Sequence, residues 1–166
     1  MTTLSLVTWP DKRLVRACKP VAEFGPELAN IAADMRDLMV REEGIGLAAP
    51  QVGLDMRLLV CLQDDEDSIP YAFINPRIVE RKGETISNEG CLSLPGVTVP
   101  VKRAESVSVL AQHTNGDQFR VDATGRLAIV LQHEIDHLDG KMMIDHLPGG
   151  QRQQIRNHMK TFRVRK

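Results

Sequence analysis

Three observations predict an α+β fold with largely antiparallel sheet. Short strand-like runs fill the middle of the chain, an Asn-Gly pair marks a hairpin within them, and helix-periodic segments lie before and after. The first helix covers 26–42, where Leu28, Ile31, Ala32, Met35, Leu38 and Met39 recur at three- and four-residue spacing. Pro26 suits its first turn and Gly44 ends it. A glycine-rich loop follows, Gly44-Ile45-Gly46-Leu47-Ala48-Ala49-Pro50-Gln51-Val52-Gly53. Residues 56–63 read as a short apolar strand, and Asp64-Asp65-Glu66-Asp67 as a solvated loop tip after it.

Further short strands are expected at 71–75, 77–82 and 84–88. In 105–112, Val107, Val109 and Ala111 alternate with Ser106, Ser108 and Leu110, the two-residue period of a sheet with one face buried. Asn115-Gly116 then turns the chain into 118–122. A second helix begins near Thr124, a suitable N-cap, and runs through Leu138 to the stop at Asp139-Gly140. A third helix, basic and amphipathic, covers roughly 149–161.

A length of 166 residues suits one domain, and no repeat, low-complexity linker or internal boundary divides 1–166. With 4% aromatic residues the core must be mostly aliphatic. A net charge of −1 offers no whole-molecule attraction to nucleic acid or membrane. Residues 151–166 nevertheless carry six basic side chains and no acid, leaving 15 basic against 22 acidic residues elsewhere. The simpler reading is a solvated helix and tail; the sharper one is docking on an anionic partner such as RNA. No apolar run approaches the ~20 residues of a membrane span. The first residues lack the basic start and long apolar stretch of a signal peptide. Three cysteines, Cys18, Cys61 and Cys91, are an odd number that fits reduced thiols in a cytoplasmic protein.

The chemistry centres on His133-Glu134-Ile135-Asp136-His137. At 100° per residue the two histidines lie about 40° apart on a helix, so both imidazoles reach one point, with Glu134 at the edge of that face. Two histidines so placed hold a divalent metal while an unligated glutamate handles a proton. Composition alone yields such a motif with a probability on the order of 1%. A third ligand is needed, and Cys91 supplies it. It sits in Glu89-Gly90-Cys91-Leu92-Ser93-Leu94-Pro95-Gly96, a punctuated loop able to present a thiolate. Cys18 and Cys61 read instead as buried small hydrophobes. Two His and one Cys leave a position open, as catalytic sites do. The loop at 44–53 allows close backbone approach to a ligand. It follows a helix and lacks Gly-Lys-Ser, which argues against a nucleotide cofactor. Gln51 offers an amide as an oxyanion donor, or is an ordinary solvated side chain.

Taken together, Gly44-Ile45-Gly46-Leu47-Ala48-Ala49-Pro50-Gln51, Glu89-Gly90-Cys91-Leu92-Ser93 and Gln132-His133-Glu134-Ile135-Asp136-His137-Leu138 resemble the three signatures of the peptide deformylase family, in the family's order. The resemblance covers nearly the whole chain. It implies antiparallel sheets packed around the central helix that carries the motif, with a C-terminal helix. It implies removal of formate from the N-formylmethionine of nascent polypeptides, with Fe2+ held by Cys91, His133 and His137. Zinc, nickel or cobalt would suit the same ligands. In such a site a metal-activated water attacks the formyl carbon, the Gln51 amide and the Leu92 backbone N–H stabilise the developing oxyanion, and Glu134 carries the proton to the departing amine. The resemblance also lays an extended peptide against backbone at Gly46 and Gly90, with Ile45, Ile129 and Val130 around its methionine. It pairs Glu89 with Arg103 beside Cys91. Some family members carry a peptide-binding arginine after the cysteine loop; here Val97-Thr98-Val99 occupies that stretch. The basic segment 151–166 suggests contact with the ribosome.

Overall fold

The computed structural model describes residues 3–62 and 69–164. The acidic run Asp64-Asp65-Glu66-Asp67 and the terminal Arg165 and Lys166 lie outside them. In chain order the elements are α1 (Pro26–Arg41), β1 (Gly46–Ala48), β2 (Leu58–Cys61), β3 (Ala72–Lys82), β4 (Thr85–Cys91), β5 (Leu94–Arg103), β6 (Ser106–Gln112), β7 (Gln118–Thr124), α2 (Gly125–Leu138) and α3 (Gly149–Val164). Short 3-10 turns occupy Lys12–Val15, Ala49–Val52 and Met143–His146. Five strands form one sheet in the order β1-β2-β3-β6-β7, and β4 and β5 form a separate pair. All pairings are antiparallel. This is the expected α+β architecture.

Helices α1 and α2 cover opposite faces of the larger sheet, and strand β2 shows why. Its Leu59 and Cys61 join Leu131, Ile135 and Leu138 of α2 in one core. Its Leu58 and Val60 join Leu28, Met35 and Leu38 of α1 in another. A strand buried on both faces has no polar position, hence the unbroken Leu-Leu-Val-Cys run. A third core unites Leu94, Val97, Val99 and Val101 of β5 with Met142, Met143, Ile144 and Met159. On α2 the core stripe (Ala128, Leu131, Ile135, Leu138) and the two histidines stand about 160° apart at 100° per residue. One helix therefore packs on the sheet with one face and offers chemistry with the other.

Several boundaries differ from expectation. The strands expected at 71–75 and 77–82 are one strand, interrupted in register after Ile74. There Asn75 takes a left-handed φ of 50°, and its side chain bonds both the N–H (2.8 Å) and the C=O (2.9 Å) of Val21. Those bonds fix a bend that hydrophobic patterning does not reveal. Three residues of the glycine-rich loop, Gly46–Ala48, pair with β2 as an edge strand. Cys91 ends strand β4 rather than lying in a loop, because β5 pairs with it along its length. Strand β5 was not expected, since Pro95 and Gly96 read as loop punctuation, and it also contains Pro100. A strand in a two-stranded sheet has a free edge, however, where a proline's missing N–H costs nothing. Thr124 occupies the N-cap position of α2, but its side chain makes no capping bond. No helix of the described residues is long and apolar enough to cross a membrane.

Candidate metal centre and cleft

Cys91, His133 and His137 offer ligand atoms that all lie within 4.8 Å of one another. His137 Nε2 is 3.2 Å from His133 Nε2 and 3.4 Å from Cys91 Sγ. Bonds of about 2.0 Å to nitrogen and about 2.3 Å to sulfur at tetrahedral angles separate two nitrogens by about 3.3 Å, and sulfur from nitrogen by about 3.5 Å. The two spacings made by His137 match those values and all three ligand atoms lie close together, so the three residues fit a divalent cation. Cys91 is half-buried, whereas Cys18 and Cys61 are buried in the cores, as expected. Burial pushes the Cys18 thiol up, away from reactivity.

His133 is held from behind, whereas the buried Nδ1 of His137 has no hydrogen-bond partner among the described residues. His133 Nδ1 lies 2.8 Å from Glu89 Oε1. Arg103 grips Glu89 with two bonds, Nε to Oε2 (2.8 Å) and a terminal nitrogen to Oε1 (2.7 Å). Burial alone would raise the Glu89 pKa, but the hydrogen bonds from Arg103 and His133 outweigh it and hold the carboxyl at about 2. A permanent carboxylate there fixes the tautomer and orientation of His133. Burial, first of all, holds the pKa of His137 well below its usual value, which favours the neutral form that ligates.

Glu134 occupies the same helix face, and its burial raises its carboxyl to about 7. Its Oε2 is buried with no hydrogen-bond partner among the described residues. Such an orphan costs about 1–3 kcal/mol, which a reactant proton or water would recover. Gly46 makes room for it: a Cβ there would stand 2.8 Å from Glu134 Oε1 and 2.8 Å from Val130 Cγ1. Gln51 is 1% exposed rather than solvated. Its Oε1 accepts from the Ala48 N–H (2.9 Å), which leaves its amide N–H groups pointing to Ser93 Oγ (3.2 Å) and Cys91 Sγ (3.5 Å). The fixed carbonyl thus aims the donor at the metal centre.

All the expected site residues except His137 and Arg103 line one open cleft of ≈ 1290 Å³: Ile45, Gly46, Gln51, Glu89, Gly90, Cys91, Leu92, Ile129, Val130, His133 and Glu134. His137 and Arg103 lie beneath it, 0% and 5% exposed. β1 is the sheet's edge strand, so one side of its backbone faces away from β2. Thr98, paired with Gly90, also lines the cleft, so no arginine enters from the segment after the cysteine. Arg126, in the first turn of α2, lines it instead.

Sequence reasoning missed four supporting residues. Ser93 Oγ donates to the Val7 carbonyl (2.7 Å) while receiving Gln51. Gln132 bonds both the N–H (3.0 Å) and the C=O (2.9 Å) of Ala104, locking α2 to the β5–β6 connection. Asp136 accepts from Arg103 (2.7 Å) and lies 2.7 Å from His146 Nε2. Gln132 and Asp136 stand inside the recognised motif; His146 had no sequence signal.

A family model described as polypeptide deformylase matches residues 3–153. The chain is 43% identical over 162 residues to a peptide deformylase of Tolumonas auensis, across 98% of this chain and 97% of that one. A crystal structure of a peptide deformylase from Legionella pneumophila superposes with a TM-score of 0.89 at 39% identity, covering 99% of both chains. A peptide deformylase from Ehrlichia chaffeensis, in complex with actinonin, superposes with a TM-score of 0.89 at 35% identity, over 97% of this chain and 98% of that one. The chain belongs to the polypeptide deformylase family.

Proposed function

We propose that the protein releases formate from the N-formylmethionine of newly synthesised polypeptides, as a single catalytic domain. The observation that carries this reading is the Cys91–His133–His137 cluster with Glu134 beside it, opening on a cleft walled by an edge strand. The thiolate and two imidazoles would hold Fe2+, with zinc, nickel or cobalt as replacements. When bound, the cation supplies Lewis acidity toward the formyl carbonyl and acidifies a water ligand.

The remaining steps belong to the chain. The free edge of β1 at Gly46, with Gly90 opposite, pairs with the extended peptide. Ile45, Ile129 and Val130 enclose the methionine side chain. The Gln51 amide and the Leu92 backbone N–H donate to the formyl oxygen as negative charge grows there. Glu134, poised near neutrality, takes the proton of the attacking water and delivers it to the departing amine. Arg103 and Glu89 keep His133 in register throughout.

The test is formate release from formyl-Met-Ala-Ser beside an internally cleavable peptide of similar length. Release from the first alone is expected; cleavage of the second alone would identify a peptidase. The near-neutral whole and its thiols suit the cytoplasm. Residues 151–166 would dock on ribosomal RNA, so deleting them should weaken ribosome binding most at low salt.

A further inference from the structure

The chain of contacts behind His133 does not end at Arg103. Asp136 Oδ2 lies 2.7 Å from the terminal nitrogen of Arg103 and 2.7 Å from His146 Nε2. The same Arg103 nitrogen is 3.4 Å from His146 Nε2. An ionised carboxylate can only accept, so at 2.7 Å His146 presents its Nε2–H to Asp136, and one oxygen receives two donors. Along that line the side chains pass from partly accessible to buried: His146 34% and Asp136 20%, then Arg103 3% and Glu89 5%. His146 itself is fixed by the Met143–His146 turn, where Asp145 Oδ2 accepts from the Met142 N–H at 2.8 Å.

We propose that His146 is a positioning residue of the metal centre, acting through Asp136 and Arg103 on the Glu89–His133 pair. Asp136 sits on the same helix as both ligating histidines, yet its carboxylate turns away from the ligand point toward β5. It needs donors to stay there. Arg103 has two strong bonds to Glu89, and its third, to Asp136, sets the rotation of the guanidinium plane. Without His146, Asp136 loses one of its two anchors, Arg103 gains freedom, and Glu89 follows. The end of that sequence is a less fixed His133 ring and a looser cation.

The inference rests on the three residues holding a metal, so the experiment begins with cobalt(II) loading of the wild-type protein. Failure to load would refute the site reading itself. With loading established, cobalt release to a chelator and the visible cobalt spectrum are followed in His146→Phe, His146→Gln, Asp136→Ala and the Asp136→Ala/His146→Phe double variant. His146→Phe should release cobalt about 3–10-fold faster, below the 10–100-fold typical of a direct ligand partner because it acts two links away. His146→Gln, which retains an N–H at the same reach, should match the wild type in rate and spectrum. The double variant should behave like Asp136→Ala alone. An unchanged release rate in His146→Phe, or the same fold-change with and without Asp136, would overturn the proposal. Should the phenylalanine variant fail to fold, His146→Asn, too short to reach Asp136, replaces it in the same comparison with His146→Gln.

Discussion

Replacing Gly46 by alanine isolates how closely the backbone of β1 must approach the catalytic helix. Gly46 has no left-handed φ, so alanine is compatible with its backbone and any effect is steric. The added methyl would lie 2.8 Å from Val130 Cγ1, 2.8 Å from Glu134 Oε1 and 2.9 Å from Glu134 Cγ. Carbon pairs sit comfortably at about 3.5–4.0 Å, so Val130 and the Glu134 stem must each retreat by roughly 0.6 Å or more. Overpacking of this size costs about 1–3 kcal/mol, partly offset by about 0.4–1 kcal/mol from the stiffer unfolded chain. The fold therefore survives with a modestly lower melting temperature. Catalysis suffers more, because a displacement approaching 1 Å of a catalytic group costs on the order of 10²-fold. Steady-state formate release from formyl-Met-Ala-Ser, with melting by circular dichroism and metal content in parallel, should show kcat down about 10²-fold in a folded, metal-loaded protein. A kcat within threefold of the wild type would refute the close packing of Glu134 against Gly46.

Glu134→Ala should bind metal nearly normally yet lose about 10³–10⁴-fold in kcat, since it removes proton transfer without touching a ligand atom; metal analysis beside the formate assay checks both halves. Gln132→Leu leaves the buried N–H and C=O of Ala104 without their partner, at about 1–3 kcal/mol each. The melting temperature should fall by roughly 5–15 °C, and a scanning calorimeter reads it directly. Arg126→Ala should raise KM for formyl-Met peptides about 3–10-fold with kcat unchanged, the mark of a residue that binds peptide away from the reacting atoms.

What the sequence disclosed of the site follows from the range of each interaction. His133, Glu134 and His137 share a helix face, so a 3.6-residue period reveals their convergence. Cys91 was found by its residue type, but β5, the strand that pairs with its own, was hidden behind Pro95 and Gly96. The clue was present in β5, where Val97, Val99, Val101 and Arg103 alternate as buried positions with exposed Thr98, Pro100 and Lys102. Weighing that period against the prolines would have recovered the strand, since edge strands accept them. Gln51 left two readings open from sequence, and burial decides for the structured one. Asp136 and His146 are ten residues apart around a helix end and a 3-10 turn, a meeting that no local pattern encodes. Asn75 likewise bends β3 through bonds to Val21, a partner 54 positions away.

Helix α2 explains why so much chemistry is compatible with an ordinary core. Its apolar stripe is consumed by the sheet, which fixes the rotation of the helix about its axis. Gln132 then fixes its position along that axis by gripping Ala104. With both degrees of freedom removed, His133 and His137 point at one place, and Glu89, Arg103 and Asp136 need only set the orientation of the His133 ring. Packing thus supplies coarse placement and the buried charges supply fine placement. The two contributions are separable by experiment: loss of Gln132 should act on stability first, whereas loss of His146 should act on the cation while leaving the fold in place.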